Sequence, residues 1–262
     1  MQTQTLSTQG LRQLTLRAPS HPHGQAHFSA ASGLVCVYGR AYVIGDDELH
    51  LAVYQDDDSP GRLHRLLPGA LPADKAARKR SKPDFESLLH LPGCAMLVAM
   101  GSGSAPGRDR AVCLPLDTDG QPLSPLPAVD LAPLYGPLRQ RLGGINIEGA
   151  FVCAGQLLLL NRGHATGAGN TVIRVSLRDF VALLAGRKKA LLPTRVQAFD
   201  LGDIDGVSLG FTDGAALGGG AWVFSAVAED SANAVADGAC LGTAVGVVGA
   251  RSEERRVGKE CA

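Results

Sequence analysis

The chain has 262 residues, of which 45% are apolar and 19% are charged, a composition typical of globular proteins that excludes a disordered chain. Its 25 basic and 25 acidic residues cancel, so no overall charge attracts nucleic acid or an anionic membrane, and no apolar run is long enough to span a bilayer. The 33 glycines and 15 prolines favour many short strands and turns over long helices.

The first 28 residues form an N-terminal segment with one strand-like stretch. Residues 11–16 alternate apolar and polar side chains, which predicts an outer strand that closes against the last sheet. His21, His23 and His27 have the chemistry to chelate a metal, but they lie beside Pro and Gly and are interpreted as loop residues. The start has neither a basic nor an apolar leader region, so we expect a cytoplasmic protein.

Residues 29–250 contain an approximate internal repeat. Each copy has a small or acidic residue, a strand, a Gly turn, a second strand and a polar exit, which is the pattern of a β-hairpin. The copies begin near Ser32, Glu86, Glu148 and Asp213. The starts are 54 to 65 residues apart, and further strand candidates follow each hairpin. Repeats of this length predict an all-β fold, a β-propeller of four to six blades. A β-sandwich is the alternative, for which strands at short regular spacing would be expected.

Shorter elements lie between the repeat copies. Residues 131–142 and 178–184 are predicted to be short helices that decorate the propeller. The basic run at residues 75–82 is flanked by acidic residues, and we interpret it as a solvated loop rather than a nucleic-acid site. Residues 206–210 match the G-x-S-x-G pattern of a nucleophile elbow, but no helix and no histidine follow, so a serine hydrolase is not predicted.

Residues 251–262 form a charged tail that resembles the in-frame translation of a sequencing adaptor over residues 251–261. We therefore expect the natural reading frame to break near Ala250 and the propeller to be truncated at its C-terminus. A native charged tail is the alternative. Without the tail, the basic count falls from 25 to 21 and the acidic count from 25 to 22, which leaves a net charge of −1.

Several repeat starts carry a resemblance to a known family. Residues 32–34, 146–149 and 211–214, each before a strand, a turn and a strand, resemble the bacterial propellers of the esterase-like phytase group. The wider pattern, which adds residues 75–86, 101–104 and 162–163, is more similar to an uncharacterised bacterial family related to that group. The resemblance implies a propeller whose polar channel holds a divalent cation and a phosphate or an ester. It assigns no catalytic roles to individual residues.

Acidic residues at strand ends are candidates for a calcium site, because these ends line the channel of a propeller and Ca²⁺ takes about 6–8 oxygen ligands. The channel candidates are Glu148, Asp213, Asp46, Asp47 and Glu229. Among them, Glu148 and Asp213 are the metal candidates. The alternative is that these carboxylates cap turns and accept hydrogen bonds from the backbone.

Two Gly-rich loops carry residues that suit an anion. Arg162, His164 and Asn170 surround one loop, while Arg108 and Arg110 follow the other. Because guanidinium groups match phosphate or carboxylate in a bidentate geometry, both loops are candidates for anion binding. The alternative is a pair of hairpin loops with solvated charges.

Two functions remain open at this point. The first is a cytoplasmic propeller that binds a small anionic ligand or a protein partner, with no role for nucleic acid or membrane. The alternative is a calcium-dependent hydrolase of a phosphate ester or carboxylic ester, with Glu148, Asp213 and Arg162 in the channel, where the metal would polarise the ester and activate water. Fold alone does not separate them.

Overall fold

The computed structural model describes residues 3–5, 7–19, 26–28, 30–163, 169–230, 239–250 and 255–261. These residues form four antiparallel sheets and three short helices, which confirms the prediction of an all-β, propeller-like fold with helical decorations. The chain divides into two compact units. We call Gly10–Ala132 the first unit, and Met1–Gln9 with Pro133–Ala262 the second unit. Each unit carries two sheets, named blades 1 to 4 in chain order.

The first unit contains blades 1 and 2, and a short strand of the second unit, β1 (Thr3–Thr5), precedes it in the chain. Blade 1 consists of β2 (Ala31–Val37), β3 (Arg40–Gly45), β4 (His50–Gln55) and β5 (Arg62–Arg65). The next elements are α1 (Lys75–Ser81) and the blade 2 strands β6 (Phe85–Leu91), β7 (Met96–Gly101), β8 (Arg110–Pro115) and β9 (Val129–Asp130). In both sheets, strands that follow one another in sequence are neighbours.

The core of the first unit lies between the two blades. Tyr42 and Ile44 of β3 pack in one apolar cluster with Phe85 of β6. The strands β2 and β6 approach so closely that a Cβ on Gly33 would lie 3.0 Å from the backbone nitrogen of Leu88. A glycine is therefore required where the first strands of the two blades meet.

The second unit contains blades 3 and 4. Helix α2 (Ala132–Leu142) leads to blade 3, which consists of β10 (Ile147–Cys153), β11 (Gln156–Asn161), β12 (Thr171–Ser176) and β13 (Arg195–Ala198), with α3 (Leu177–Leu184) between the last two strands. Blade 4 consists of β14 (Asp203–Ile204), β15 (Val207–Gly218), β16 (Ala221–Asp230), β17 (Ala239–Val248) and β18 (Arg255–Cys261). Strand β1 extends this sheet by pairing in parallel with β18.

Aromatic side chains dominate the core of the second unit. Phe211 and Phe224 meet edge to face with ring centroids 5.2 Å apart, and Trp222 packs on Phe151 at 5.6 Å. Such pairs add about 0.5–1.5 kcal/mol each beyond the burial of their area. The same close approach of first strands recurs here, because a Cβ on Gly149 would lie 3.0 Å from the Cα of Asp213.

The structure confirms two predicted helices and corrects one predicted loop. Residues 131–142 and 178–184 correspond to α2 and α3. The interpretation of the basic run at 75–82 as a loop is wrong, because most of it forms α1. Asp74 caps this helix by accepting a hydrogen bond from the backbone nitrogen of Ala77 at 2.8 Å, which satisfies one of the free donors of the first turn.

The strand predicted at residues 11–16 is also wrong. Only Leu16 makes a β-bridge, to Gly61 of the first unit, and Leu16 is buried while Leu11 is 93% exposed. Arg12 and Leu14 also contact blade 1, so the alternating side chains do face a sheet, but the segment forms only this one bridge with it. His21 and His23 lie outside the described residues, and His27 is exposed.

The structure tests some of the remaining predictions and leaves others open. Residues 206–210 run from a turn into β15, so they do not form the strand–turn–helix of a nucleophile elbow. No helix in the described part of the chain has the length and apolar character needed to cross a membrane. The cytoplasmic location, the domain boundaries and the adaptor origin of the tail stay predictions.

Candidate functional site

In every blade, a β-bulge lies in the first strand of the repeat hairpin and defines the register of the repeat. In β2, β6, β10 and β15, one residue is left without a partner on the neighbouring strand. The bulged residues are Ser32, Glu86, Glu148 and Thr212. Bulges of this kind re-aim a side chain and are common beside functional sites. The predicted repeat starts are confirmed for three blades, but in the fourth the equivalent of Glu148 is Thr212, and Asp213 corresponds to Gly149.

In the second unit, Arg162 lies between two of the predicted carboxylates. Its Nη2 is 2.8 Å from Oε2 of Glu229, and its Nη1 is 3.9 Å from Oε1 of Glu148. Glu148 also accepts a hydrogen bond from Nδ2 of Asn146 at 2.5 Å. The guanidinium lies against β15, where a Cβ on Gly210 would be 2.7 Å from Nε. The structure therefore brings these three predicted residues together, with Arg162 already paired to acidic groups.

Asp213 also lies at the interface of blades 3 and 4, and its carboxyl group is governed by burial. Its side chain is partly buried and accepts a hydrogen bond from the backbone nitrogen of Gly214 at 2.7 Å. Burial raises the pKa of Asp213 from 3.8 to about 7, because desolvation disfavours the carboxylate more than this hydrogen bond favours it. Asp213 can therefore exchange a proton near neutral pH.

Asn170 links blades 3 and 4 through hydrogen bonds of its side-chain amide. Its Oδ1 accepts from the backbone nitrogens of Gly163 and Phe211 at 3.1 and 3.3 Å, and its Nδ2 donates to the carbonyl of Leu209 at 2.7 Å. The amide is thus engaged by the fold rather than presented to a ligand. His164, the other candidate of this loop, lies outside the described residues.

In the first unit, three carboxylates converge, although the sequence suggested only one of them for the channel. Oxygens of Asp46, Asp84 and Glu86 all lie within 4.8 Å of one another, and they form the one such group of three found among the described residues. An ammonium is already in place there, because Nζ of Lys82 bonds to Asp46 and lies 2.9 Å from Oδ1 of Asp84. The predicted metal pair, Glu148 and Asp213, belongs to no group of this kind in the described residues.

Asp84 is the centre of this charge cluster. It is 2% exposed, has a φ of 57°, and accepts from Nη1 of Arg108 at 2.9 Å and from the hydroxyl of Ser102. Burial lowers the pKa of Lys82, but its hydrogen bonds to Asp46 and Asp84 outweigh burial and raise that pKa above its ordinary value. The ammonium therefore stays charged and holds the position that a cation would need.

The remaining predicted residues of the first unit are engaged locally. Arg108 donates to Asp84 and to the hydroxyl of Ser104 at 2.8 Å, and Arg110 donates from Nε to the carbonyl of Gly107 in its own loop at 3.0 Å. Asp47 lies 3.8 Å from Nη1 of Arg78. The predicted cradle of Arg108 and Arg110 is therefore directed at the protein.

Sequence reasoning missed a basic pocket in the first unit, at the end of blade 1 where β2 turns into β3. The cavity has a volume of about 180 Å³, and no carboxylate is among its lining residues. The side chains that give it its charge and polarity are Arg17, Arg40, Arg62, His64, Gln55 and Gln121. We refer to this cavity as the basic pocket.

The sheet register explains how these side chains meet. Arg40 of β3 is opposite Gln55 of β4, and Arg62 of β5 is opposite Val53, two residues from Gln55. Residues two apart on a strand share a face, so Arg62 and His64 point to the same side. The alternation Arg62-Leu63-His64 is the local signal that could have indicated this site.

Several donors of the basic pocket have no protein partner. Arg40 is held by the carbonyl of Asp119 at 3.0 Å and, with the amide of Gln121 turned to face it, by that oxygen at 2.6 Å. In the described part of the chain, the guanidinium of Arg62 has no hydrogen-bond partner, and the buried Nε2 of His64 has none. The pocket therefore presents the unpartnered guanidinium of Arg62 and the imidazole of His64 to an open volume.

Comparison with known proteins places the chain in one family. The profile described as "Family of unknown function (DUF6929)" matches residues 27–260, and the chain belongs to this family. Among curated proteins, none matches the sequence. The relation to the esterase-like phytase propellers stays a prediction.

Proposed function

We propose that this member of the DUF6929 family is a binding protein for a small oxyanion, a phosphate or carboxylate group held in the basic pocket. The observation that carries the proposal is a cavity lined by three arginines and a histidine, and by no carboxylate. Arginine binds both oxyanions through parallel N–H donors, and charge-assisted hydrogen bonds are the strong class.

The size of the basic pocket sets the size of its ligand. A volume of about 180 Å³ equals that of about six waters in the liquid, which accommodates a phosphate or a carboxylate with a small organic group. Arg40 is held in place by Asp119 and Gln121, so little side-chain freedom is lost on binding. The small volume and the fixed position of Arg40 therefore favour a small ligand over a large one.

Substitution of Arg62 tests the proposal by calorimetric titration with inorganic phosphate at low salt. Because a hydrogen bond to a charged group contributes about 1.5–3 kcal/mol, Arg62→Gln should weaken binding by about tenfold or more. Arg65→Gln is the matched control, since Arg65 is on the same strand but points to the other face, where it donates to Leu67 and Gly69. Equal phosphate affinities of the wild type and Arg62→Gln would overturn the proposal.

For the alternative, a calcium-dependent hydrolase, the carboxylate geometry offers little support. The converging group of the first unit already contains the ammonium of Lys82, and Glu148 is engaged by Asn146 and approached by Arg162. Glu148 and Asp213 therefore remain metal candidates on their residue type alone.

A melting curve distinguishes the two functions. We expect the melting temperature to be the same with Ca²⁺ and with excess EDTA, because no described group of three carboxylates is free of a competing cation. A metal bound to the folded state at a hundred times its Kd would add about 2.7 kcal/mol. A calcium-dependent rise of that size would favour the hydrolase instead.

A further inference from the structure

Two arginines of blade 3 face each other across an antiparallel pair. Arg174 of β12 is directly opposite Arg195 of β13. Like charges in this position destabilise a sheet unless an opposite charge lies between them. Within the described residues of the second unit, neither guanidinium has a hydrogen bond or an ion pair. The fold thus places two unpaired positive charges side by side.

These arginines line a groove of the second unit. The groove has a volume of about 660 Å³ and is also lined by Gln156, Thr194, Trp222 and the turn glycines Gly219 and Gly220. No carboxylate is among its lining residues. Its size lies within the range of about 300–1,000 Å³ that is usual for small-molecule sites. We call it the arginine groove.

The repeat register relates the arginine groove to the basic pocket. In blade 1, Arg40 pairs with Gln55 and Val53 pairs with Arg62. In blade 3, Gln156 pairs with Ser176 and Arg174 pairs with Arg195. Arg40 and Gln156 each open the second strand of their blade, so Arg195 occupies the position of Arg62. The same repeat position therefore carries an arginine without a partner in both units.

We infer that the arginine groove is a second binding site, for a small organic ligand with a dianionic oxyanion group, of which a phosphate monoester is the matched case. The facing guanidiniums supply two forks of donors for one dianion, and binding would relieve their repulsion. The larger volume leaves space for the organic part of the ligand, in contrast to the basic pocket. This inference rests on the contacts of blade 3 and holds whether or not the basic pocket binds phosphate.

Trp222 is the only tryptophan of the chain; its ring is buried in the aromatic core, and the residue forms part of the wall of the arginine groove, so its fluorescence reports on a change in that wall. We expect a hexose monophosphate to change tryptophan fluorescence in a saturable way, and citrate in a parallel titration distinguishes carboxylate from phosphate as the preferred group. Arg195→Gln should weaken this response by about tenfold or more. Arg195 is exposed on an edge strand, so the substitution should not lower the melting temperature.

Controls separate this site from the basic pocket. Arg195→Lys keeps the charge but removes the fork, so it should also weaken the fluorescence response. Arg62→Gln should leave the response intact while it reduces calorimetric binding of inorganic phosphate. The inference is overturned if the wild type shows no saturable response to the hexose monophosphate, or if the response survives Arg195→Gln unchanged. A response lost only in Arg62→Gln would overturn it as well.

Discussion

Asp84→Asn should destabilise the first unit by about 3–5 kcal/mol, the cost of breaking a buried ion pair by removing one partner. The carboxylate of Asp84 is buried and lies 2.9 Å from both the ammonium of Lys82 and the guanidinium of Arg108. Without its charge, two cations remain close together, with less compensation than before. Asparagine tolerates the positive φ of 57° at this position, so the substitution isolates the electrostatic loss from backbone strain.

Urea unfolding followed by circular dichroism, with hydrogen exchange of β6 and β7, measures this effect where it arises. Asp58→Asn is the control for the same loss of charge, because Asp58 is fully exposed at 4.0 Å from Arg12 and should leave the unfolding curve unchanged. The double variant Asp84→Asn, Arg108→Gln should lose less free energy of unfolding than the two single variants together, since each substitution removes part of the same interaction. Strict additivity would show that Asp84 does not stabilise through Arg108.

Asp213→Asn should make the second unit more stable than the wild type above neutral pH, by up to about 4 kcal/mol. The folded pKa of Asp213 is about 7 against an ordinary 3.8, so between these values the folded state holds a proton that the unfolded state has released. The wild type therefore loses stability as pH rises through this window. Asparagine keeps the acceptor oxygen for Gly214 and has no proton to lose, so its curve should lack this slope.

Denaturation of both proteins at a series of pH values, followed by the fluorescence of Trp222, checks this prediction. The difference between them should be smallest below about pH 4 and reach its full value above about pH 7, following the two pKa values of Asp213. Asp179→Asn serves as the control, because Asp179 forms a surface pair with Lys188 at 2.9 Å and such pairs contribute about 0–1 kcal/mol. Parallel curves for wild type and Asp213→Asn would contradict a raised pKa.

Local patterns predicted the elements whose causes are local. The repeat starts at residues 32, 86 and 148 follow from alternation and from glycine turns, and the turn glycines Gly39 and Gly155 have φ of 64° and 74°. Helices α2 and α3 were also predicted, because the signals of a short helix are local as well. Helix α1 was missed because five basic residues suggested a solvated loop, although Asp74 stands at the position of an N-cap.

The candidate sites were predictable only in part. Glu148, Arg162 and Glu229 lie together, but Arg162 is paired with the acids instead of being open to a ligand. The sequence did not predict the basic pocket, because its side chains come from separate segments with no spacing to relate them. These include Arg17, Arg40, Arg62 and Gln121. Composition and motif searches cannot find such sites, since only the tertiary fold brings these side chains together.

The fold class, the hairpin repeat and two of the helices were predictable from local patterns, because alternation, turn glycines and helix periodicity act over a few residues. Which charges become neighbours depends on the tertiary structure. Lys82 reaches Asp46 across 36 positions, and Arg174 faces Arg195 through a register that no local signal specifies. The pKa shifts of Lys82 and Asp213 also depend on packing, because desolvation and electrostatic interactions follow distances in space rather than along the chain.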